Sequence, residues 1–317
     1  MSASISVLIP SVDGGDLLAA SVERLISESP QVEVVIADNG LDAGTRSRLH
    51  TSGAKLASMG GNAGFGRAVN AAAAQAEGEV LIVTNDDIEP SRGFATALAA
   101  PVIAGAEMAA GILVHRDHPG VIESAGLVID PLLGWHDHLR GEPLDGLEQR
   151  GPLPNPLGPS GGASAFAADA FRGVGGYDEV FFAYAEDIDL ALRLRRAGAR
   201  CVVADRSRAI HYISATLVHG SLAKACVVGL SRGHLLRKYG VLARPGRGAM
   251  ALSLELGATA ILALRHRSLR PAAARVRGWQ APADREPFPP KDWITVSVVD
   301  GMRRRLAWFL RKPVPSH

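Results

Sequence analysis

The sequence predicts an α/β fold with a mostly parallel central sheet, followed by a helical C-terminal appendage. Three observations carry this. In the first hundred residues, apolar β-branched runs alternate with segments of helical spacing, the pattern of βαβ units. The strongest run, residues 79–84, is continuous rather than alternating, as in a strand covered on both faces. Beyond Leu217 the pattern turns helical. The chain has 317 residues, 47% hydrophobic and 21% charged, enough for one large domain with an appendage and a real core. The expected division is 1–217 and 218–317.

Residues 4–10 form a short β-branched run. No basic stretch precedes it and Pro10 stops it, so it reads as a first strand and not a signal peptide. Residues 17–26 have helical spacing. Residues 33–37 are strand-like and end on the turn signal Asp38-Asn39-Gly40. A weaker strand covers 55–58, an Ala-rich helix 65–76, the strong strand 79–84 and another helix 92–100. Residues 109–114 and 121–129 are strand-like. Residues 131–159, rich in Pro, Gly and charge, read as a long mobile loop. A helix over 186–197 precedes a strand over 201–204. Helices are then expected over 218–239, 248–264, 271–277 and 292–310. There is no internal repeat.

Composition excludes several classes. Net charge is only +2, so bulk charge does not argue for nucleic acid. Two cysteines, Cys201 and Cys226, give neither a disulfide framework nor a thiolate metal site, and a reducing cytoplasm fits. Residues 248–264 are apolar except for Glu255, with Arg247 and Arg265 at the edges. A mid-helix acid costs about 2.5 kcal/mol or more in a membrane, so this reads first as a buried or interfacial helix, with a true span as the lesser reading. From Arg265 onward twelve Lys or Arg face four acids, with Trp279, Trp293, Trp308 and Phe309 interleaved. This suits an anionic membrane surface or a solvated helical face. No nucleic-acid motif accompanies the charge.

Ligands of open parallel sheets bind outside the carboxyl ends of the strands. Here each early strand is followed by polar, flexible residues: 10–15, then 38–40, then 60–66, then Asn85-Asp86-Asp87. Asp38 can accept a hydrogen bond from a base or ribose, or close an Asx turn. The glycine-rich stretch 61–66 opens a helix and offers N–H groups to phosphate, or Asn62 simply caps that helix. The dinucleotide pattern G-x-G-x-x-G does not follow the first strand, which argues against a dehydrogenase. The carboxylates of Asp86 and Asp87 suit Mg²⁺ or Mn²⁺ bridging a diphosphate, or cap a helix before Pro90. Glu186-Asp187-Ile188-Asp189 opens a helix, where acids favour the macrodipole or place a general base on a rigid element. The approach to it, 175–184, is glycine-rich and aromatic and could wall a pocket. His211 can ligate a metal or hydrogen-bond in the core.

Together these segments resemble family 2 glycosyltransferases of the GT-A fold, especially the bacterial rhamnosyltransferase-like branch. The matching stretches are 7–11, 35–40, 61–66 with Asn70, 81–87, 161–163, and 182–190 with Arg193, spanning about residues 4–214. The resemblance implies a GT-A nucleotide-binding fold and an inverting transfer of sugar, rhamnose among the candidates, from a nucleoside-diphosphate donor to an acceptor hydroxyl. It implies that Asp187, with Glu186 beside it, is the catalytic acid pair, Asp187 being the base. It implies donor binding by Pro10, Ser11, Asp13, Asp38, Asn62, Gly64, Arg67, Asn85, Asp86 and Gly162. Asn85 stands where the first Asp of the family's Asp-x-Asp motif is found, so Mn²⁺ or Mg²⁺ would rest mainly on Asp87, with His211 completing the site. Leu41 follows the turn where Ser is usual.

The implied partners are a nucleoside-diphosphate-sugar and a glycan or lipid-linked acceptor, in cell-wall or surface glycan synthesis, and not nucleic acid. The implied location is the cytoplasm. Peripheral contact of the C-terminal region with the inner face of the plasma membrane, and a homo-oligomer, are left open. A nucleotidyltransferase and a non-catalytic sugar-nucleotide-binding protein are the competing readings. The former would need a basic, glycine-rich loop after the first strand, and only Gly14-Gly15 is there.

Overall fold

The computed structural model describes residues 3–28, 32–149, 151–212 and 220–310, with the side chains of 148 and 308–310 left aside. The expected boundary at 217/218 and the expected helix start at 218 lie outside the described residues. So do Arg311 and Lys312. The described chain divides into two compact units. The first takes in residues up to 127, then 137–178 and 190–212; the second takes in 128–136, 179–189 and 220–310.

The first unit opens with β1 (Ile5–Ser11), α1 (Asp16–Glu28), β2 (Val32–Asp38), α2 (Ala43–Thr51), β3 (Lys55–Ser58), α3 (Phe65–Gln75) and β4 (Val80–Thr84). Then come β5 (Ile88–Pro90), α4 (Phe94–Ile103), β6 (Met108–His115) and β7 (His118–Ser124), and after them β8 (Leu127–Ile129) and β9 (Trp135–Asp137), a small separate sheet that falls mostly in the second unit. They are followed by β10 (Ala163–Ala167), α5 (Ala168–Gly173), α6 (Glu186–Arg196) and β11 (Cys201–His211). The main sheet runs β3-β2-β1-β4-β10-β6-β11-β5, with β7 beside β6. Strands β3, β2, β1 and β4 are mutually parallel, and β11 is parallel to β6. β10 enters between β4 and β6 antiparallel to both, and β5 and β7 are also antiparallel to their neighbours.

Successive residues of a strand point to opposite faces. Val7, Ile9, Val34, Ile36 and Ile82 face Leu18 and Val22 of α1 and Phe94 and Leu98 of α4. Leu8, Val35, Leu81 and Val83 face Ala68, Val69 and Ala72 of α3 and Leu190 and Leu194 of α6. Both faces are therefore dry, which is why the strands read as unbroken apolar runs. Each fully buried Leu, Ile or Val contributes about 1.5–3 kcal/mol. On α3 a small residue is obligatory at Gly66, where a Cβ would fall 2.9 Å from Cβ of Tyr177. One turn on, the Asn70 amide accepts from Tyr177 N and donates to Tyr177 O, both at 2.9 Å, and so pins the segment after α5.

The expected mobile loop 131–159 is not structureless. It holds β9, a 3₁₀ turn at Leu147–Gln149 and the buried side chains Leu132, Leu133, His136 and Leu157. Leu127 and the 157–158 stretch exchange backbone hydrogen bonds at 2.8 Å, and the Arg195 guanidinium donates to Leu157 O and Pro156 O at 3.0 Å each. Its apolar residues are spaced irregularly, so no periodicity announced them. The strand expected over 121–129 is two strands, broken at Ala125-Gly126, and β11 runs seven residues beyond the expected 201–204.

The second unit contains α7 (Leu222–Lys238), α8 (Arg247–His266), α9 (Arg270–Gln280) and α10 (Val298–Leu310). Helices α7 and α9 meet backbone to backbone at Gly229, Gly233 and Gly278. A Cβ on Gly233 would stand 2.8 Å from Trp279 N, and one on Gly229 3.0 Å from Pro271 O. Much of the interior is ionic. Asp130, 1% exposed, accepts from Arg305 at 2.6 Å, His136 at 3.1 Å, Leu132 N at 2.8 Å and Gly134 N at 3.0 Å. Burial disfavours its charge, but His136, Arg305 and the two N–H groups outweigh this and hold it at about 2. Arg232, buried, donates to Leu132 O, Leu133 O and Glu255. The alternative that 248–264 is a buried helix is overturned: only Gly248, Ala251 and Leu262 of α8 are buried.

Candidate active site

Parallel pairing brings the strand ends to one rim. Ser11 of β1 lies opposite Asp38 of β2, which lies opposite Ser58 of β3. β4 runs beside β1 with Val83 level with Leu8, so Asn85-Asp86-Asp87 leave at the same edge. Pro10 is buried opposite Ala37. The Ser11 hydroxyl donates to Asp86 Oδ2 at 2.5 Å and accepts from Gly14 N at 3.1 Å. Burial pushes the Asp86 carboxyl up to about 6, against the Ser11 bond and with help from Asp87 and exposed Asp13.

Asp38 closes its own turn: Oδ1 accepts from Leu41 N at 2.8 Å and Gly40 N at 3.1 Å, and the Arg46 guanidinium of α2 grips Oδ2. Burial opposes its charge, but Arg46 and the two N–H groups hold the carboxyl below its usual range. Sequence reasoning missed Arg46, since α2 turns only Leu49 inward and has no apolar stripe. It also missed Asn39, whose amide accepts from Ala63 N at 2.9 Å and donates to Gly64 O at 3.1 Å. This clamps the glycine loop to the end of β2. Asn62, exposed, accepts from Gly64 N at 3.1 Å. Gly64 has φ 92°, a region costly for any side chain. Arg67 is exposed on the first turn of α3.

Gly162 precedes β10 and meets Asn85. Its carbonyl accepts from the Thr84 hydroxyl at 2.9 Å, and a Cβ there would fall 2.8 Å from Leu113 and 3.5 Å from the Asn85 amide. Asp87 and His211 are joined by a pairing that the sequence did not announce. The three-residue strand β5 runs antiparallel to the end of β11, with Ile88 opposite His211, and Tyr212 N donates to Asp87 O at 2.8 Å. His211 Nε2 stands 3.3 Å from Asp87 Oδ1, close enough for an ion pair but not aligned as a hydrogen bond. Its Nδ1 lies 2.9 Å from Glu123 on β7, another residue missed from sequence. Burial would lower the imidazole, but the two carboxylates outweigh it and push it up to about 10.

Both Asp87 carboxylate oxygens are buried and have no hydrogen-bond donor. The Asp87 carboxylate and the His211 imidazole nitrogen, once its proton is released, form a donor set that fits Mn²⁺ or Mg²⁺. Among the described residues no group of three His, Cys, Asp or Glu is arranged to hold an ion. Asp87 and His211 thus offer two positions, and a cation there would draw its other ligands from substrate or water.

Within the second unit, the entry to α6 is strained. Tyr184 and Ala185 are consecutive L-residues at φ 66° and 68°, costing about 1–2 kcal/mol each. The turn is braced by the Ser231 hydroxyl donating to Ala183 O at 2.7 Å and by Lys224 over the Tyr184 ring at 5.1 Å. Glu186 is buried, and Oε2 has no donor; burial first, then Asp187, pushes it well above the carboxylate range. Asp187 is half-buried, with Oδ1 accepting from Ile188 N at 2.8 Å. Asp189, fully buried, accepts from Lys238 at 2.7 Å and the Tyr239 hydroxyl at 2.9 Å.

Comparison with known proteins agrees with this architecture. The family model for glycosyl transferase family 2 matches residues 6–171. The chain is 30% identical over 218 residues to N-acetylglucosaminyl-diphospho-decaprenol L-rhamnosyltransferase of Mycobacterium tuberculosis, covering 59% of this chain and 68% of that protein. It is 27% identical over 231 residues to the O-antigen biosynthesis protein RfbC of Myxococcus xanthus, covering 67% of this chain and 17% of that one. Among solved structures, GalNAc-T7 with UDP, GalNAc and Mn²⁺ superposes with a TM-score of 0.58 at 17% identity. That match covers 75% of this chain and 48% of GalNAc-T7, so the chain spans less than half of that protein. The mannosyltransferase PcManGT from Pyrobaculum calidifontis, in complex with GDP-Man and Mn²⁺, gives 0.51 at 19% identity over 89% of this chain and 76% of that one. These likenesses show the GT-A fold. The chain belongs to glycosyl transferase family 2, in its rhamnosyltransferase-like branch.

Proposed function

We propose that the protein is an inverting, divalent-metal-dependent glycosyltransferase of the cytoplasm. It moves rhamnose or a related sugar from a nucleoside diphosphate onto a hydroxyl of a lipid-linked glycan, in cell-wall or surface glycan synthesis. The observation that carries this is Asp87: a buried carboxylate with no hydrogen-bond donor, beside His211, on the rim where the strand ends meet. The donor and lipid-linked acceptor are suggested by the rhamnosyltransferase relative, whose name specifies a diphospho-decaprenol substrate.

On this reading the Asn39-clamped loop and Gly64 present backbone N–H groups to the diphosphate, while Ser11, Asp13, Asp38 and Arg67 meet the nucleoside part. Asn85, Asp86 and Gly162 line the donor side. Asp87 and His211 would hold a divalent cation, which when bound would supply positive charge beside the diphosphate leaving group. Asp187 accepts the proton of the acceptor hydroxyl as its oxygen attacks C1 of the sugar. The C1–O bond to the diphosphate breaks and its electron pair leaves on phosphate oxygen, so one displacement inverts the anomeric centre. Glu186 stands beside the base, its carboxyl pushed well above the usual range by burial and by Asp187.

The test is a thermal-shift screen of nucleotide sugars with and without Mn²⁺, followed by transfer assays with the ligand that raises the melting temperature. Asp187→Asn is expected to keep the donor shift and lose transfer by about 10²–10⁴-fold. Turnover within a few-fold of the native enzyme would place the base elsewhere. A donor bound by the native protein but never transferred or hydrolysed would restore the non-catalytic reading.

A further inference from the structure

Helix α8 wears its polarity inside out. Its single acid, Glu255, points inward, where Arg232 of α7 and Arg275 of α9 hold it at 2.8 and 3.0 Å. The outward half of its circumference carries Met250, Leu252, Leu256, Ile261 and Leu264, with only Ala, Ser and Gly between them. Leu256 is 62% exposed, Ile261 50% and Leu264 79%. At 1.5 Å per residue the stripe is roughly 20 Å long. A soluble surface helix places its charge outward and its leucines inward; here the protein interior receives the charge. Past the helix end, Leu269 is 75% exposed and Val276 on α9 54% exposed.

Charge says what covers this face. Arg247 opens α8, and Arg265, Arg267 and Arg270 gather at its other end. Neither α8 nor α9 has an acid besides the inward Glu255. Two copies related by a two-fold axis would bring like charges together along the stripe. A bilayer with anionic headgroups would instead take the leucines among its acyl chains and the arginines among its phosphates. A transmembrane crossing is opposed by the same geometry. Mid-helix Glu255 is tied to α7 and α9, and α9 carries Arg270, Arg275 and Arg277 along its eleven residues. We infer that the outward face of α8 is a docking surface for an anionic lipid bilayer, lying in the plane of the membrane. This inference stands independently of the transferase reading.

The experiment is flotation of the full-length protein with phosphatidylcholine vesicles, with and without phosphatidylglycerol. The native chain is expected to float with the anionic vesicles and to be released by salt. Leu256→Asp/Leu264→Asp and Arg265→Glu/Arg270→Glu are each expected to reduce binding by about tenfold or more. Their melting temperature should be unchanged, because these side chains bury little; if the paired change lowers it, the milder Leu264→Ser is read instead. Failure of the native chain to float, or variants that float equally well, would overturn the inference. So would a native dimer by light scattering that Leu256→Asp converts to a monomer without affecting flotation. Resistance to alkaline carbonate extraction would show a spanning helix and overturn the in-plane arrangement.

Discussion

Replacing Asp189 with Asn tests how the start of α6 is held. Asp189 is 0% exposed, and its Oδ1 takes hydrogen bonds from Lys238 at 2.7 Å and from the Tyr239 hydroxyl at 2.9 Å. Lys238 is itself buried, its side chain 5% exposed. Asn keeps the shape and the acceptor for Tyr239 but removes the carboxylate charge that the buried Lys238 ammonium meets at 2.7 Å. Removing one partner of a buried ion pair costs about 3–5 kcal/mol. With Tyr239 still bonded, the lower end applies, about 3 kcal/mol, or a fall of roughly 6–12 °C in melting temperature. A thermal melt of the native and variant proteins reads this directly. Adding Lys238→Met to the variant removes the buried ammonium as well and is expected to recover at least half of the loss, so the cycle isolates the pair. Asp189 lies two residues past the proposed base on one helix, so transfer should fall with stability and recover with it. If Asp189→Asn melts within about 2 °C of the native protein, or Lys238→Met brings nothing back, the pair does not anchor the helix.

Asp87→Ala removes the unsatisfied buried carboxylate. It is expected to abolish the Mn²⁺-dependent part of donor-induced thermal stabilisation and to lower kcat/KM by about a hundredfold or more; an unchanged Mn²⁺ response would move the cation elsewhere. Asp130, held at about 2, gives the second unit a dependence on acid. Its depressed folded value means that the stabilisation is fully present above the unfolded pKa near 3.9 and is lost as pH falls from there through about 2. The contribution is about 2.5 kcal/mol. Arg305→Gln takes away one of the charges that depress it, so denaturant melts at pH 3 and 6 should differ less in the variant than in the native protein.

How far the fold could be read follows from which signal each element carries. β1, β2 and β4 are buried on both faces, so their apolar runs stood out, and α1 and α3 have inward stripes. α2 buries Leu49 alone and offers no period. β10 reads Ala-Ser-Ala-Phe-Ala, a composition closer to a helix, yet it is central in the sheet. Its small residues suit the tight passage between β4 and β6, where Ser164 also donates to Val83 O at 3.2 Å. Position in the sheet, and not intrinsic preference, makes it a strand.

The candidate site divides along the same line. Carboxylates at strand ends were visible because a strand and the turn after it are contiguous in sequence. Asp38 and Asn62 close turns, as the plain reading of those residues expects. What adjacency could not show is partnership across the chain. Arg46 reaches Asp38 from α2, Asn39 fastens a loop 24 residues away, and Glu123 orients His211 from 88 residues before it. The deciding case is β5. Three residues make too short a run to register as a strand, yet their antiparallel pairing with β11 sets Asp87 beside His211 across 124 positions. The register there is fixed by Tyr212 N on Asp87 O and by the irregularity in β11 between Val203 and Arg208. A shift of one residue would turn His211 to the other face of the sheet and leave Asp87 with no imidazole. The metal chemistry proposed here therefore depends less on the two acids that the sequence displays than on a short edge pairing that aims one histidine.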